Sequence, residues 1–78
     1  MGVQYTLASS DRVKIGSLVL IDYTSWKPGG ERVLSFGIIV DVALFRGNGE
    51  ERTAYSFDVL YSGKIRVFNN MWLTAVQQ

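Results

Sequence analysis

The 78-residue chain contains neither histidine nor cysteine. A Ser-His-Asp or Cys-His arrangement therefore cannot form, and zinc sites with those ligands are excluded. Three aspartates, Asp22, Asp41 and Asp58, lie in stretches with strand character, where a carboxylate pair would do acid–base work. We expect each instead to face solvent or to pair with a basic neighbour. The sequence thus predicts a non-enzymatic protein with no catalytic residue, cofactor, metal site or small-molecule substrate.

Basic side chains near aromatic ones suggest a second chemistry, the binding of single-stranded nucleic acid by charge and stacking. The candidate contacts are Lys14, Lys27, Arg32, Lys64 and Arg66. However, eight Lys and Arg against seven Asp and Glu give a net charge of only +1. A mixed, solvated surface is the interpretation we favour, and nucleic-acid binding through the basic residues and the 24–33 loop stays an alternative.

Composition predicts one small folded domain. Hydrophobic residues make up 47% of the chain and aromatic residues 13%, which argues against disorder. A chain of this size buries only about 60–65% of its unfolded surface, so its margin of stability is thin. Apolar runs are too short to span a bilayer, and the first residues lack a basic-then-apolar leader pattern. We therefore expect a cytoplasmic protein without a membrane partner.

Alternating apolar and polar residues between Tyr55 and Phe68, broken at Ser62-Gly63, predict a β-hairpin. Two rules disagree on its register. Turn chemistry favours a two-residue Ser62-Gly63 loop, which places Val59 opposite Arg66. Periodicity favours a three-residue loop with Val59 opposite Val67, and we prefer it because an unpaired, buried Arg66 would be costly.

Two further strands precede this hairpin. Residues 18–23 are apolar on both faces until Asp22, and residues 34–45 form the longest strand candidate, with Gly37 marking a bend or close backbone approach. Gly16 is expected at positive φ in the turn before them. Residues 27–30, Lys-Pro-Gly-Gly, suit a type II turn in the 24–33 loop. Trp26 in that loop is either a lid on the core or an exposed binding surface, and we favour the lid.

The remaining segments are shorter. Residues 46–52 read as a polar, glycine-rich hairpin loop. Asn70 is expected to cap a single 3₁₀ turn before a final short strand at residues 74–76. In residues 1–13, alternating Val3, Tyr5 and Leu7 predict either a frayed arm or an added strand that covers a sheet edge in its own or a neighbouring subunit. About five short strands with one helical turn fit a small all-β barrel or sandwich.

Four stretches, residues 14–19, 36–40, 57–64 and 72–73, resemble SH3-like small barrels, particularly the Tudor, chromo-barrel and KOW-type group. The resemblance covers residues 14–78 and implies an SH3-like barrel of about five short strands with a 3₁₀ turn before the last strand. Similar short proteins are common in tailed bacteriophages, which implies a phage-encoded protein in the host cytoplasm. Small barrels host many unrelated functions.

In Tudor-like domains, aromatic residues at three positions can form a cage for methylated Lys or Arg. The matching positions here are Tyr23, Phe36 and Tyr61. The long Pro-Gly-Gly loop departs from the short loop usual in that family. We favour the simpler interpretation, that the three rings are core and rim aromatics.

Self-association is the function we prefer, with a second copy or another protein as the partner. A small domain without disulfide or metal has few other ways to gain stability, and this chain carries more apolar residues than a small barrel hides. Leu18 and Leu20 lie on the strand face opposite Val19 and Ile21. The other candidate contacts are Val3, Tyr5, Leu7, Trp26 and Trp72. A large exposed apolar patch usually marks an interface.

Overall fold

The computed structural model describes residues 3–48 and 51–76, and they form an all-β fold. The strands are β1 (Tyr5–Thr6), β2 (Arg12–Val13), β3 (Leu18–Thr24), β4 (Arg32–Asn48), β5 (Glu51–Tyr61), β6 (Lys64–Asn69) and β7 (Leu73–Ala75). A 3₁₀ turn, Asn70–Trp72, precedes the last strand as predicted. Nothing in the described ranges is a helix with the length and apolarity that crossing a membrane requires.

All seven strands belong to one sheet. Five of them run antiparallel in the order β7-β3-β4-β5-β6. The N-terminal strand β1 pairs in parallel with the start of β5, and β2 pairs with β1 on its other side. Within the described part of the chain no ladder joins the two ends of this order, so the sheet is not closed into a barrel. The all-β class is confirmed, whereas a five-stranded closed barrel is not.

The core lies on one face of this sheet, because alternate residues of each strand point to the same side. Val19 and Ile21 of β3, Ile39 of β4, and Phe57 and Val59 of β5 are fully buried there. Gly37 belongs to the same face, opposite Val19 in the ladder. A Cβ at Gly37 would lie 2.6 Å from Val59 Cγ1 and 3.0 Å from the Leu60 carbonyl oxygen. The predicted close backbone approach is therefore confirmed.

Two predicted turns are present. Gly16 has φ of 96°, and Ser17 donates its N–H to the Lys14 carbonyl at 3.0 Å. In the 24–33 loop Gly29 has φ of 72°, and Gly30 donates to the Lys27 carbonyl at 2.8 Å. Both glycines occupy the left-handed region that other residues adopt only at a cost.

The predicted register of the central hairpin is wrong. Val59 lies opposite Arg66, and Tyr61 lies opposite Lys64, which leaves a two-residue Ser62-Gly63 turn. Both turn residues have positive φ, 49° and 75°, as a type I′ turn requires. The expected penalty at Arg66 does not arise, because its guanidinium donates to Glu31 Oε1 at 2.6 Å.

The N-terminal residues form an added strand on their own chain. Tyr5, Leu7 and Val13 are buried and belong to the core cluster. The Tyr5 ring packs edge-on against Phe45 and Phe57, with centroids 5.6 and 6.3 Å apart. The alternative of a frayed arm is therefore wrong for Tyr5 and Leu7.

Three local predictions need correction. Trp26 is not a lid, since its side chain is 87% exposed. The 3₁₀ turn is capped by Asn69, whose side chain accepts from Met71 N–H at 3.0 Å, while the buried Asn70 donates to the Ala54 carbonyl at 2.6 Å. The predicted 46–52 loop is shorter, because strand pairing continues to Asn48 and Glu51. Residues 49–50 of that loop lie outside the described residues.

Candidate interaction surface

The face of the sheet opposite the core is apolar. Cross-strand register places Leu18, Ile38, Leu60 and Ile65 in one row across β3, β4, β5 and β6. Leu20 and Phe36 form a second paired row beside it. We call the following eight side chains the outer sheet face: Leu18, Leu20, Leu34, Phe36, Ile38, Leu60, Ile65 and Val67.

These side chains lie at the surface of the protein. The six members of the outer sheet face that lie in β4, β5 and β6 are 39–63% exposed. One of them, Phe36, lies near the middle of the set and is 61% exposed. Alternation along the strand is clearest at Ile38 and Leu60, each of which lies between two buried residues of the opposite face. Six large, half-exposed apolar residues side by side exceed the scattered single residues of an ordinary surface.

Acidic and basic groups lie at the two ends of this apolar surface. At one end Asp22 lies opposite Leu34, and the Arg32 guanidinium lies 3.9 Å from the Asp22 carboxylate, with both side chains mostly exposed. At the other end Asp41 and Asp58 are direct cross-strand partners. Like charges in that position repel. Among the described residues, neither of these two carboxylates has an ion-pair partner.

An aromatic cluster packs on the core side of the sheet. It consists of Tyr23, Tyr61, Phe68 and Trp72, with ring centroids 5.1–5.9 Å apart in contacting pairs. The Arg66 guanidinium lies 5.2 Å from the Tyr23 ring centroid and 5.3 Å from that of Phe68. The hydrogen bond to Glu31, and then the one to Tyr61, raises the pKa of Arg66. The guanidinium, which is charged at any physiological pH, thus lies over the aromatic faces.

The structure brings two of the three candidate cage residues together. Tyr23 and Tyr61 both contact Phe68, and the cation of Arg66 lies between them. Phe36 is on the other side of the sheet, because its ladder partner is Leu20 rather than Val19 or Ile21. The three predicted rings therefore do not converge on one point.

Four of the five predicted nucleic-acid contacts lie beside a carboxylate or an aromatic ring. Arg32 and Arg66 each lie beside a carboxylate, Asp22 and Glu31. Lys27 lies over the Trp26 ring at 5.7 Å, and Lys64 lies over the Tyr61 ring at 5.1 Å. Lys14 is in the exposed turn before β3.

The predicted self-association residues separate into buried and exposed ones. Tyr5 and Leu7 are buried within their own chain, and Trp72 is half-buried against Tyr23. Val3 and Trp26 are exposed. Sequence reasoning found Leu18 and Leu20 from the double-faced apolar run, but it missed Leu34, Phe36, Ile38, Leu60, Ile65 and Val67 as a continuous surface. The sequence does show apolar residues at alternate positions in these strands. However, only the correct hairpin register places Ile65 beside Leu60.

In the described ranges no three Asp or Glu side chains lie close enough together to hold a metal ion. No family model, no curated protein and no solved structure matches this chain.

Proposed function

We propose that this chain is a non-enzymatic interaction module that associates with itself, built on an open SH3-like sheet. The observation that carries the proposal is the outer sheet face, an apolar surface on the side of the sheet that the core does not cover. Burial of apolar surface is the main driving force for protein association, and it is proportional to the area removed from water. The order β7-β3-β4-β5-β6 with a 3₁₀ turn before the last strand supports the SH3-like assignment.

The resemblance to small bacteriophage proteins supports a phage-encoded module in the cytoplasm of the host cell. The proposed partner is protein, either a second copy or another chain. The proposed partners include neither a membrane nor a small-molecule substrate.

The test is the mass of the protein in solution. The chain has a mass of 8.7 kDa. Light scattering coupled to size exclusion should give about twice that mass at micromolar concentration, and the mass should fall towards that of one chain on dilution. A mass of one chain that does not change with concentration up to the solubility limit would refute self-association.

A second candidate function is binding of single-stranded nucleic acid by the 24–33 loop. The observation that favours it is the pair of Trp26, almost fully exposed, and Lys27, whose ammonium lies 5.7 Å from the indole centroid. An exposed ring beside a cation suits base stacking and phosphate contact. Fluorescence anisotropy with a labelled oligonucleotide near 50 mM salt should detect binding that weakens as salt rises. Trp26→Ala should abolish that binding, and absence of binding by the wild-type protein would end this candidate.

A further inference from the structure

We infer that the occupant of the outer sheet face is a second copy of this chain, packed sheet on sheet with its strands reversed. This inference rests on the proposed self-association and adds the surface, the symmetry and the contacts. Two stacked sheets lie about 10 Å apart with side chains interdigitating between them. The two copies would be related by a two-fold axis that lies between the sheets and runs across the strands near Phe36.

The area of the outer sheet face is suited to such a contact. Six of its side chains are 39–63% exposed. A large aromatic side chain such as that of Phe36 offers about 150–250 Å² when fully exposed, and each of the five aliphatic side chains offers less. Together their exposed parts form an apolar patch of a few hundred Å², a size that is often functional on a monomer. A standard interface takes roughly 800 Å² from each partner, so the polar residues at the ends of the outer sheet face would contribute the remainder.

When the strands of the two sheets are aligned, the two-fold axis runs either along or across them, and charge favours one of these two directions. An axis along the strands would place the Asp41 and Asp58 pair of one copy against the same pair of the other. Four carboxylates without an ion-pair partner would then face one another, and such like-charge contacts are strongly unfavourable across an interface. An axis across the strands avoids this, because it places each acidic end over the opposite end of the other copy.

The opposite end carries Arg32 on β4 and Asp22 on β3. Phe36 lies four residues from Arg32 and five from Asp41 along β4, or roughly 13 and 17 Å at the rise of a strand. An axis near Phe36 therefore brings Arg32 of each copy close to Asp41 of the other, twice in the dimer. The Arg32 contact with Asp22 within one chain is long and exposed, at 3.9 Å, so it does not hold Arg32 in place.

Five proteins compared by light scattering and circular dichroism test this inference. Phe36→Glu should be a folded monomer, because it places a carboxylate in the centre of the apolar contact. Met71→Glu is the matched control: Met71 is 67% exposed but lies in the 3₁₀ turn, away from the outer sheet face, so this variant should remain a dimer. Arg32→Glu should weaken dimerisation about tenfold or more, because it faces Asp41 and Asp58 of the other copy.

A double variant in which the two charges are exchanged tests the direction of the two-fold axis. The double variant Arg32→Glu with Asp41→Arg should dimerise within about threefold of the wild-type affinity, because each new Glu would face a new Arg. A double variant weaker than Arg32→Glu alone would overturn the axis across the strands. Dimers that persist in Phe36→Glu would overturn the surface but leave self-association intact. A monomeric wild-type protein would refute the proposed function itself.

A measurement on the wild-type protein tests the assigned surface even where a variant does not fold. Amide resonances of residues 34–38 and of Ile65 and Val67 should shift when the wild-type protein is diluted, while those of the 3₁₀ turn should not. Concentration-dependent shifts confined to other strands would contradict the assigned surface.

Discussion

The Arg66 guanidinium and the Glu31 carboxylate are 35 residues apart in the chain and 2.6 Å apart in the fold. Their contact joins β6, the second strand of the central hairpin, to the end of the 24–33 loop. The same guanidinium lies over the rings of Tyr23 and Phe68. Arg66 therefore connects the loop, the hairpin and the aromatic cluster. These contacts compensate for placing a charged residue on the core side of the sheet.

Removal of this charge should destabilise the protein by a modest amount. Arg66→Met keeps much of the side-chain stem but loses the ion pair and both cation–π contacts. The Arg66 and Glu31 side chains are 36% and 50% exposed, so solvent screens the pair. We expect a loss of about 1–3 kcal/mol, from a pair of about 0.2–1 kcal/mol and two ring contacts of about 0.5–1 kcal/mol each. Urea unfolding followed by circular dichroism measures it.

Arg12→Met is the control for that experiment. Arg12 is exposed in β2, is not part of the outer sheet face, and has no described ion pair or ring contact. The free energy of unfolding should change by less than about 0.5 kcal/mol. Equal losses in the two variants would show that Arg66 has no special role in the fold.

Local patterns were sufficient to predict most strands and turns. Alternation identified the central hairpin, and the glycines at 16, 29 and 37 indicated two turns and one close approach. The hairpin register was mispredicted because the partner that makes Arg66 acceptable comes from a loop 35 residues away. Trp26 was misassigned for a related reason: its exposure depends on where the loop lies, not on its neighbours in sequence. The outer sheet face, in turn, exists only once four strands are paired in the correct register.

The Ser62-Gly63 turn offers a stabilising substitution. Ser62 has φ of 49° and Gly63 φ of 75°, the conformation in which Asn-Gly is preferred. Asn tolerates the left-handed region better than Ser, so Ser62→Asn should raise the free energy of unfolding by roughly 0.5 kcal/mol. Thermal unfolding would show a higher midpoint. A lower midpoint for Ser62→Asn would argue against the two-residue turn. Gly63→Val should lower the stability of the protein, because a β-branched residue is strained at that φ.

Gly37→Ala should destabilise through a steric clash. The added methyl group would meet Val59 Cγ1 at 2.6 Å, the Leu60 carbonyl oxygen at 3.0 Å and Ile21 Cδ1 at 3.1 Å. Because a carbonyl of the neighbouring strand cannot move without breaking the ladder, we expect a loss of about 1–3 kcal/mol by urea unfolding. Gly16→Ala provides the comparison: its Cβ would meet nothing within 4 Å, and only its φ of 96° is unfavourable. A Gly37→Ala protein as stable as wild type would mean that the β4–β5 ladder is looser than described.

Leu7→Ala should be the most damaging of these substitutions. Leu7 is only 2% exposed and belongs to the core, although it lies in the N-terminal segment that sequence alone left open as a frayed arm. Buried Leu-to-Ala changes cost about 2–5 kcal/mol, and a domain of this size has a total stability at the low end of about 5–15 kcal/mol. We therefore expect partial unfolding at room temperature, visible as lost near-ultraviolet circular dichroism. Val3→Ala, at a position 42% exposed, should leave the signal unchanged.

Deletion of residues 1–8 should unfold the chain as Leu7→Ala does, since it removes both Tyr5 and Leu7 from the core. A truncated protein with native signal and stability would show that β1 is not part of the folded core.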